Sequence, residues 1–249
     1  MEVHHHSHTA RNRWMHYVWE FFMLFLAVTL GFFVENQREH YIEHQREKKY
    51  AQSLYNDLKA DTARINYVRT LKLLKGDKLD SLKSILVSPD IQKQSARVYY
   101  YTLFINFNPR LLTQDVTMQQ LRSSGTFRYF KNIELYNSIS QYYKLCDNYL
   151  DREAEHRDKI LYPDELISRI FDTHILLEYF KPQPKLWDYL EVPKGNPLML
   201  TTDKQILNQY YLLVGNIKWI DALSLLYLAN IEKNANNLMV LLKKEYNIE

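Results

Sequence analysis

The sequence predicts an all-α protein: an N-terminal transmembrane helix continuing into a long stalk helix, then an antiparallel helical bundle. Three observations carry that expectation. A single apolar run, YVWEFFMLFLAVTLGFFV from Tyr17 to Val34, leads without proline into the charged stretch ENQREHYIEHQREKKY. Apolar residues then recur at alternating steps of three and four in the stalk and again near the C-terminus, a spacing that gathers them on one helix face. Helix breakers are scarce, with 5 Gly and 7 Pro among 249 residues, so long helices meet little local opposition. The chain divides into a flexible His-rich tail over 1–13, a transmembrane helix over 14–34, and a helical stalk and bundle domain over 35–249.

Length is the first argument for the membrane segment. Trp14 to Val34 gives about 21 residues, roughly 31 Å of helix against a hydrocarbon core of about 30 Å. Trp14, Tyr17 and Trp19 gather at one end, and Phe32, Phe33 and Tyr41 lie at or beyond the other, as amphipathic rings do at the two interfaces. A cleaved signal peptide would present small residues after the apolar region. GFFVENQREH follows instead, so the segment reads as an uncleaved anchor. Its flanks do not orient it: Arg11 and Arg13 precede the span, while Arg38, Arg46, Lys48 and Lys49 follow, interleaved with Glu35 and Glu39.

From Glu35 to about Val87, Leu54, Leu58, Ile65, Val68, Leu79, Leu82 and Leu86 form a seam close to a seven-residue repeat. Lys72, Lys75 and Gly76 interrupt it and predict a kink or local break near Gly76, and Ser88 with Pro89 ends it. A second helix is expected over 92–104, followed by a turn at Asn108 and Pro109. Asp115 is placed to cap a short helix, VTMQQLRSS, that Gly125 terminates. Asn132 opens the next helix, with Tyr136, Ile139, Tyr143, Cys146 and Leu150 on its buried face. Pro163 and Asp164 restart a helix through ELISRIFDTHILLEYF. Pro182, Pro184, Pro193 and Pro197 then mark an irregular connector. Thr202 and Gln205 read as a capping box for the last helix. Its stripe runs Ile206, Tyr210, Leu213, Ile217, Ile220, Tyr227, Ile231, Leu238 and Leu241, with Ser224 and Asn234 as polar members. Asn216, Lys218 and Asp221 in its middle argue against a second crossing.

The segments WEFFMLFLAVTLGFFVENQREHYIEHQREKKYAQSLYNDLKADT and TMQQLRSSGTFRYFKNIELYNSISQYY resemble a family of bacterial single-span membrane proteins with a domain of unknown function. Its members share a span with an acidic residue near its start, a helical stalk, and a QLxxSGxxR-type turn between helices. The resemblance implies an architecture and no catalytic residues. It also implies an inner-membrane location with the N-terminus inside, which puts the C-terminal domain in the periplasm.

Several function classes are narrowed by composition. The net charge is +3 with acids and bases interspersed, so no basic face suits nucleic acid. One cysteine, Cys146, cannot support an internal disulfide framework and sits on an apolar stripe as a small core residue. No phosphate loop, nucleophile elbow or paired-cysteine metal motif occurs, so no catalytic or cofactor-binding residue is assigned and no cofactor is expected. The weak metal candidates are His40, Glu43 and His44 in HYIEH, which matches an inverted zinc-peptidase pattern but lies in a charged juxtamembrane helix. Asp57 and Asp61, beside Lys59 and Arg64, read as an ion-paired helix face.

Interaction candidates are Glu20, an ionisable group at membrane depth, and Ala27 with Gly31, four apart, a spacing that lets helix backbones approach. Arg122 and Arg128 flank the polar turn at Gly125 and suit a carboxylate or another anion. The leading expectation is a non-enzymatic, membrane-anchored binding or scaffold protein that assembles with itself or with another membrane protein. An extracytoplasmic ligand sensor is the alternative, with Tyr99, Tyr100, Tyr101, Tyr142, Tyr143, Tyr210 and Tyr211 as possible pocket walls. A zinc-dependent hydrolase is a minor alternative.

Overall fold

The computed structural model describes residues 13–159, 163–178, 192 and 194–248. The expected tail over 1–13 lies almost wholly outside the described residues, as do Pro182, Pro184, Pro193 and most of the proline-rich connector. The described chain is all-α: α1 (Arg13–Leu86), α2 (Ser95–Thr102), α3 (Val116–Ser123), α4 (Ile133–Lys159), α5 (Pro163–Ile170), α6 (Thr173–Glu178) and α7 (Lys204–Tyr246). Short 3-10 turns at Ile91–Gln94 and Thr126–Tyr129 precede α2 and follow α3. Contacts group the chain into two units, residues 1–51 and 52–249, with α1 contributing to both.

In the first unit every residue from Trp14 to Tyr41 is exposed. Helical hydrogen bonding satisfies the backbone along this apolar stretch, and Thr29 Oγ1 donates to the Phe25 carbonyl at 2.7 Å, leaving no free polar group on that turn. Among the described residues two helices are long and apolar enough to cross a membrane. One is within α1, with none of its apolar window buried, and the other is α7, with 28% of its window buried.

The second unit is built on residues 52–86 of α1, α4 and α7. Pairs between α1 and α7 run in opposite senses: Lys243 lies over Tyr55, Arg69 pairs with Glu232, Lys72 with Asp221, and Lys83 lies over Tyr211. Between α1 and α4 the pairs Asp61–Tyr142 and Lys72–Glu153 are both 81 residues apart. Constant separation means parallel helices, so α7 is antiparallel to both. Two parallel neighbours need a crossover, and residues 87–132, carrying α2 and α3, supply it.

The expected α1 seam is buried throughout, at Leu54, Leu58, Ile65, Val68, Leu79, Leu82 and Leu86. The local break expected as one outcome at Gly76 does not occur. Lys72 and Lys75 continue the same 3,4 seam as buried residues, and α1 passes through Gly76 unbroken. On α4 the buried face is Leu135, Ile139, Tyr142, Tyr143, Cys146 and Tyr149, while Tyr136 and Leu150 are exposed. On α7 the members Tyr210, Ile217, Ser224, Ile231 and Leu238 hold. The other half of the stripe shifts by one residue, to Leu207, Val214, Asp221, Leu228, Ala235 and Leu242. Neighbouring positions such as Leu213 and Val214, or Leu241 and Leu242, are equally apolar, so spacing alone cannot choose between them.

A second cluster closes the end of the unit where α1 finishes. Tyr99 is its hub: its hydroxyl accepts the Asp172 N–H at 2.9 Å and donates to the Leu198 carbonyl at 3.0 Å. Phe171 packs edge-on to Tyr99 and bridges to Met199. This is why the helix expected from Pro163 splits into α5 and α6. Phe171 leaves the helix for the core, and Asp172 restarts it by accepting the His174 N–H at 2.9 Å.

The predicted boundaries fare unevenly. Gly125 sits at φ 65° after α3, where a side chain would strain the backbone. Asn132 caps α4 through the Leu135 N–H. Asp115 stands at the start of α3 but bonds Gln119 Nε2 instead of a backbone donor. The cap of α7 is Asp203, whose carboxylate accepts the N–H groups of Gln205 and Ile206 at 2.8 and 3.1 Å. The expected box at Thr202 is therefore displaced by one residue.

Candidate functional site

Glu20, Ala27 and Gly31 are all exposed along α1, and a Cβ added at Gly31 meets nothing within 4 Å. His40 and His44 turn to different partners: His40 Nδ1 lies 3.6 Å from Glu43 Oε2, and His44 Nδ1 lies 3.3 Å from Glu47 Oε2. Among the described residues no three His, Cys, Asp or Glu side chains converge as metal ligands. Arg122 and Arg128 are exposed on either side of Gly125, and Arg128 lies over Tyr129. The hydroxyls of that turn are engaged locally: Ser124 Oγ donates to the Gln120 carbonyl at 2.6 Å and pairs with Thr126 Oγ1 at 2.7 Å.

The chemistry concentrates elsewhere, in the middle of the bundle. Lys72 and Lys75 on α1 are 1% and 3% exposed. Lys72 Nζ lies 2.9 Å from Asp221 Oδ1 on α7 and 3.3 Å from Glu153 Oε1 on α4. Lys75 Nζ lies 2.8 Å from Asp221 Oδ2, and Ser224 Oγ donates to Glu153. Two ammonium groups thus face two carboxylates, one helix supplying the cations and the other two the anions. Burial holds the Lys75 pKa below the usual lysine range against the opposing pull of Asp221. About three turns nearer the start of the bundle, Asp61 is buried and pairs with no cation among the described residues. It accepts the Tyr142 hydroxyl at 2.6 Å and the Gln114 N–H at 2.7 Å. Burial raises its pKa, the two hydrogen bonds oppose the rise, and Asp57 and Asp115 reinforce it. The ion-paired face expected at Asp57 and Asp61 is therefore corrected at Asp61, a buried carboxylate that accepts a phenol hydroxyl.

A cleft of about 230 Å³ is lined by Lys75, Glu153 and Asp221 of this cluster together with Ile217 and Ile220. Asn106, Asn108 and Arg110 from the crossover also line it. A second cavity, about 350 Å³, is more apolar, lined by Leu103, Ile167, Leu176 and Leu177 with Thr102 and Asp164. None of the seven tyrosines considered as pocket walls lines either one. Tyr99, Tyr142, Tyr143 and Tyr210 are core residues instead, and burial raises the pKa of each phenol.

The outward side of α7 carries a further feature. Leu212, Trp219, Leu226 and Val240 fall on one seven-residue register and are 63–69% exposed. Three residues after the first three stand Gly215, Ala222 and Ala229. Within Gln205–Asn237 the charges of α7 are Lys218, Asp221, Glu232 and Lys233. The first three are paired with Asp80, with Lys72 and Lys75, and with Arg69. The outward face is thus nearly free of charge, a composition more usual at the centre of an interface than on an open surface.

No family model matches the chain, and neither a curated protein nor a solved structure matches it. Neither the buried charge cluster nor the outward face of α7 is announced by a motif. The available signal was register. Lys72 and Lys75 occupy the steps between Val68 and Leu79, and Asp221 the step between Ile217 and Ser224, so oppositely charged residues stand on two seams that must meet.

Proposed function

We propose that this protein is a non-enzymatic, single-pass membrane protein whose helical bundle is a binding and scaffold module that assembles with a second copy of itself. The observation that carries the reading is the apolar stretch from Trp14 to Val34, exposed on all sides while residues 52–249 enclose their own core. Water would make that exposure unfavourable at about 25 cal/mol per Å² of apolar surface, whereas lipid removes the cost. Glu20, one turn inside the aromatic belt of Trp14, Tyr17 and Trp19, then reaches the interface or a neighbouring subunit. By the family resemblance the span lies in a bacterial inner membrane with the bundle in the periplasm.

Assembly is supported by two surfaces of the right kind, the Ala27 and Gly31 face of the span and the outward face of α7, on whose register Lys233 is the one charge. Leu226→Cys tests the second, because the native Cys146 is buried and does not compete. Mild oxidation of membranes is expected to give a disulfide-linked dimer for Leu226→Cys and for Trp219→Cys, and none for a cysteine at the exposed Asp151. Monomer alone at all three positions would remove the α7 reading. Protease cleavage of the bundle in spheroplasts, without membrane rupture, is the expected result for the periplasmic orientation. A sensor function is the second reading, favoured by the apolar cavity beside α5 and α6, which is of a size for a small ligand.

A further inference from the structure

We propose that the cleft above Lys75 and Asp221 binds a small aliphatic monocarboxylate, of about four to six carbons. The inference rests on the bundle being a binding module and is independent of the membrane anchor and of pairing through α7. It starts from charge. Lys72, Lys75, Glu153 and Asp221 balance one another, so the interior presents no net charge to an incoming ligand. Arg110 lines the same cleft, is exposed, and forms no ion pair with any described residue. One uncompensated guanidinium selects one negative charge. A dianion would keep one negative charge without a cation, because the other four charges already balance.

Hydrogen bonding agrees with this. An ammonium has three donors, and among the described residues the Lys75 ammonium pairs with one carboxylate oxygen, Asp221 Oδ2 at 2.8 Å. Its other N–H groups face the cleft that Lys75 lines, where water or a ligand completes them. A carboxylate fits because its two oxygens accept several N–H groups, and a guanidinium matches it in two-pronged geometry. The amides of Asn106 and Asn108 add neutral donors at the same cleft.

The remaining wall is apolar, formed by Ile105, Pro163, Ile217 and Ile220, which suits a short hydrocarbon chain. Size limits its length. At about 30 Å³ per water-sized group, a cleft of this volume holds roughly eight non-hydrogen atoms, which is the range of butyrate to hexanoate.

The test is calorimetric titration of the full chain in detergent with butyrate. Butyramide, butylammonium and inorganic phosphate serve as controls, and Arg110→Gln and Lys75→Met as variants. Saturable binding of butyrate is expected, about tenfold weaker in Arg110→Gln, with butyramide and butylammonium inactive. Arg110 is exposed, so its replacement leaves the fold intact, and a melting curve for each variant separates lost binding from lost structure. Three results overturn the proposal: no heat from butyrate with folded protein, equal binding of butyramide, or unchanged affinity in Arg110→Gln. Tighter binding of phosphate than of butyrate rejects the monocarboxylate class. Failure here alongside a Leu226→Cys dimer leaves the scaffold reading standing and removes only the ligand.

Discussion

Replacing Asp221 with asparagine is the sharpest probe of the bundle, because one carboxylate faces two buried ammonium groups at 2.9 and 2.8 Å. At an effective dielectric of about 20, two charges about 2.9 Å apart attract by roughly 6 kcal/mol. That attraction is offset in the wild type by the cost of taking each charge out of water. In Asp221→Asn the desolvation cost remains, and Glu153 alone faces Lys72 and Lys75. Removing one partner of a buried pair typically costs about 3–5 kcal/mol. For a unit of about 200 residues, each kcal/mol lowers Tm by about 2–4 °C, so a fall of roughly 6–20 °C is expected.

The pH dependence adds a second signature. Burial already holds the Lys75 pKa below its ordinary value of 10.5, and losing Asp221 depresses it further. Between the depressed folded pKa and the unfolded value the unfolded chain binds more protons, so stability rises with pH in that window. The variant should therefore regain part of its loss as pH rises toward the ordinary lysine value of 10.5. The double variant Lys75→Met with Asp221→Asn should be more stable than Asp221→Asn alone, since Lys72 and Glu153 remain as a pair. The assay is thermal unfolding of the detergent-solubilised chain followed by intrinsic fluorescence. A single variant within about 1 kcal/mol of wild type, or a double variant no better than the single, would refute the idea of one coupled network.

Two other outcomes follow from the core. Because burial raises the Asp61 pKa above 3.8, the stability linked to this group is fully present below the unfolded value and is lost as pH rises through the folded one. Asp61→Asn, which still accepts the Gln114 N–H and donates to Tyr142, should remove the loss of stability that sets in as pH rises above the ordinary carboxylate value of 3.8; Asp61→Ala should destabilise by about 1–3 kcal/mol. Chemical denaturation at several pH values distinguishes these, and a steeper curve for the asparagine variant would reverse the assignment. Cys146 is buried, and desolvation pushes its thiol up to about 12. At about pH 8 only about one thiol in ten thousand is ionised, so iodoacetamide should label the chain only after unfolding. Rapid labelling of the native protein would show the helix face opening.

Much of the fold was legible because long amphipathic helices announce themselves by composition and period. The membrane-length apolar run, the α1 seam, the glycine that ends α3 and the asparagine that opens α4 are local features, and each behaves as its chemistry dictates. Register was not legible to the same degree. On α4 and α7 two apolar stripes lie one residue apart, and a one-residue shift turns the face by about 100°. The periodic pattern accepts either. The candidate site was illegible for a related reason: a lysine on a seam reads as a break until its partner helix is known.

The sequence by itself determined that the chain is helical, where an apolar anchor can lie, and which segments are long. Those properties depend on neighbours within a few residues. Only the tertiary structure decided that Lys72 and Lys75 are buried, that Asp221 on α7 and Glu153 on α4 neutralise them, and that α1 and α4 run parallel under a crossover that brings Arg110 to the same cleft. Charges so far apart in the chain are assigned to one another by packing: burial makes an unpaired charge too costly, and the one helix register that pairs them all is kept.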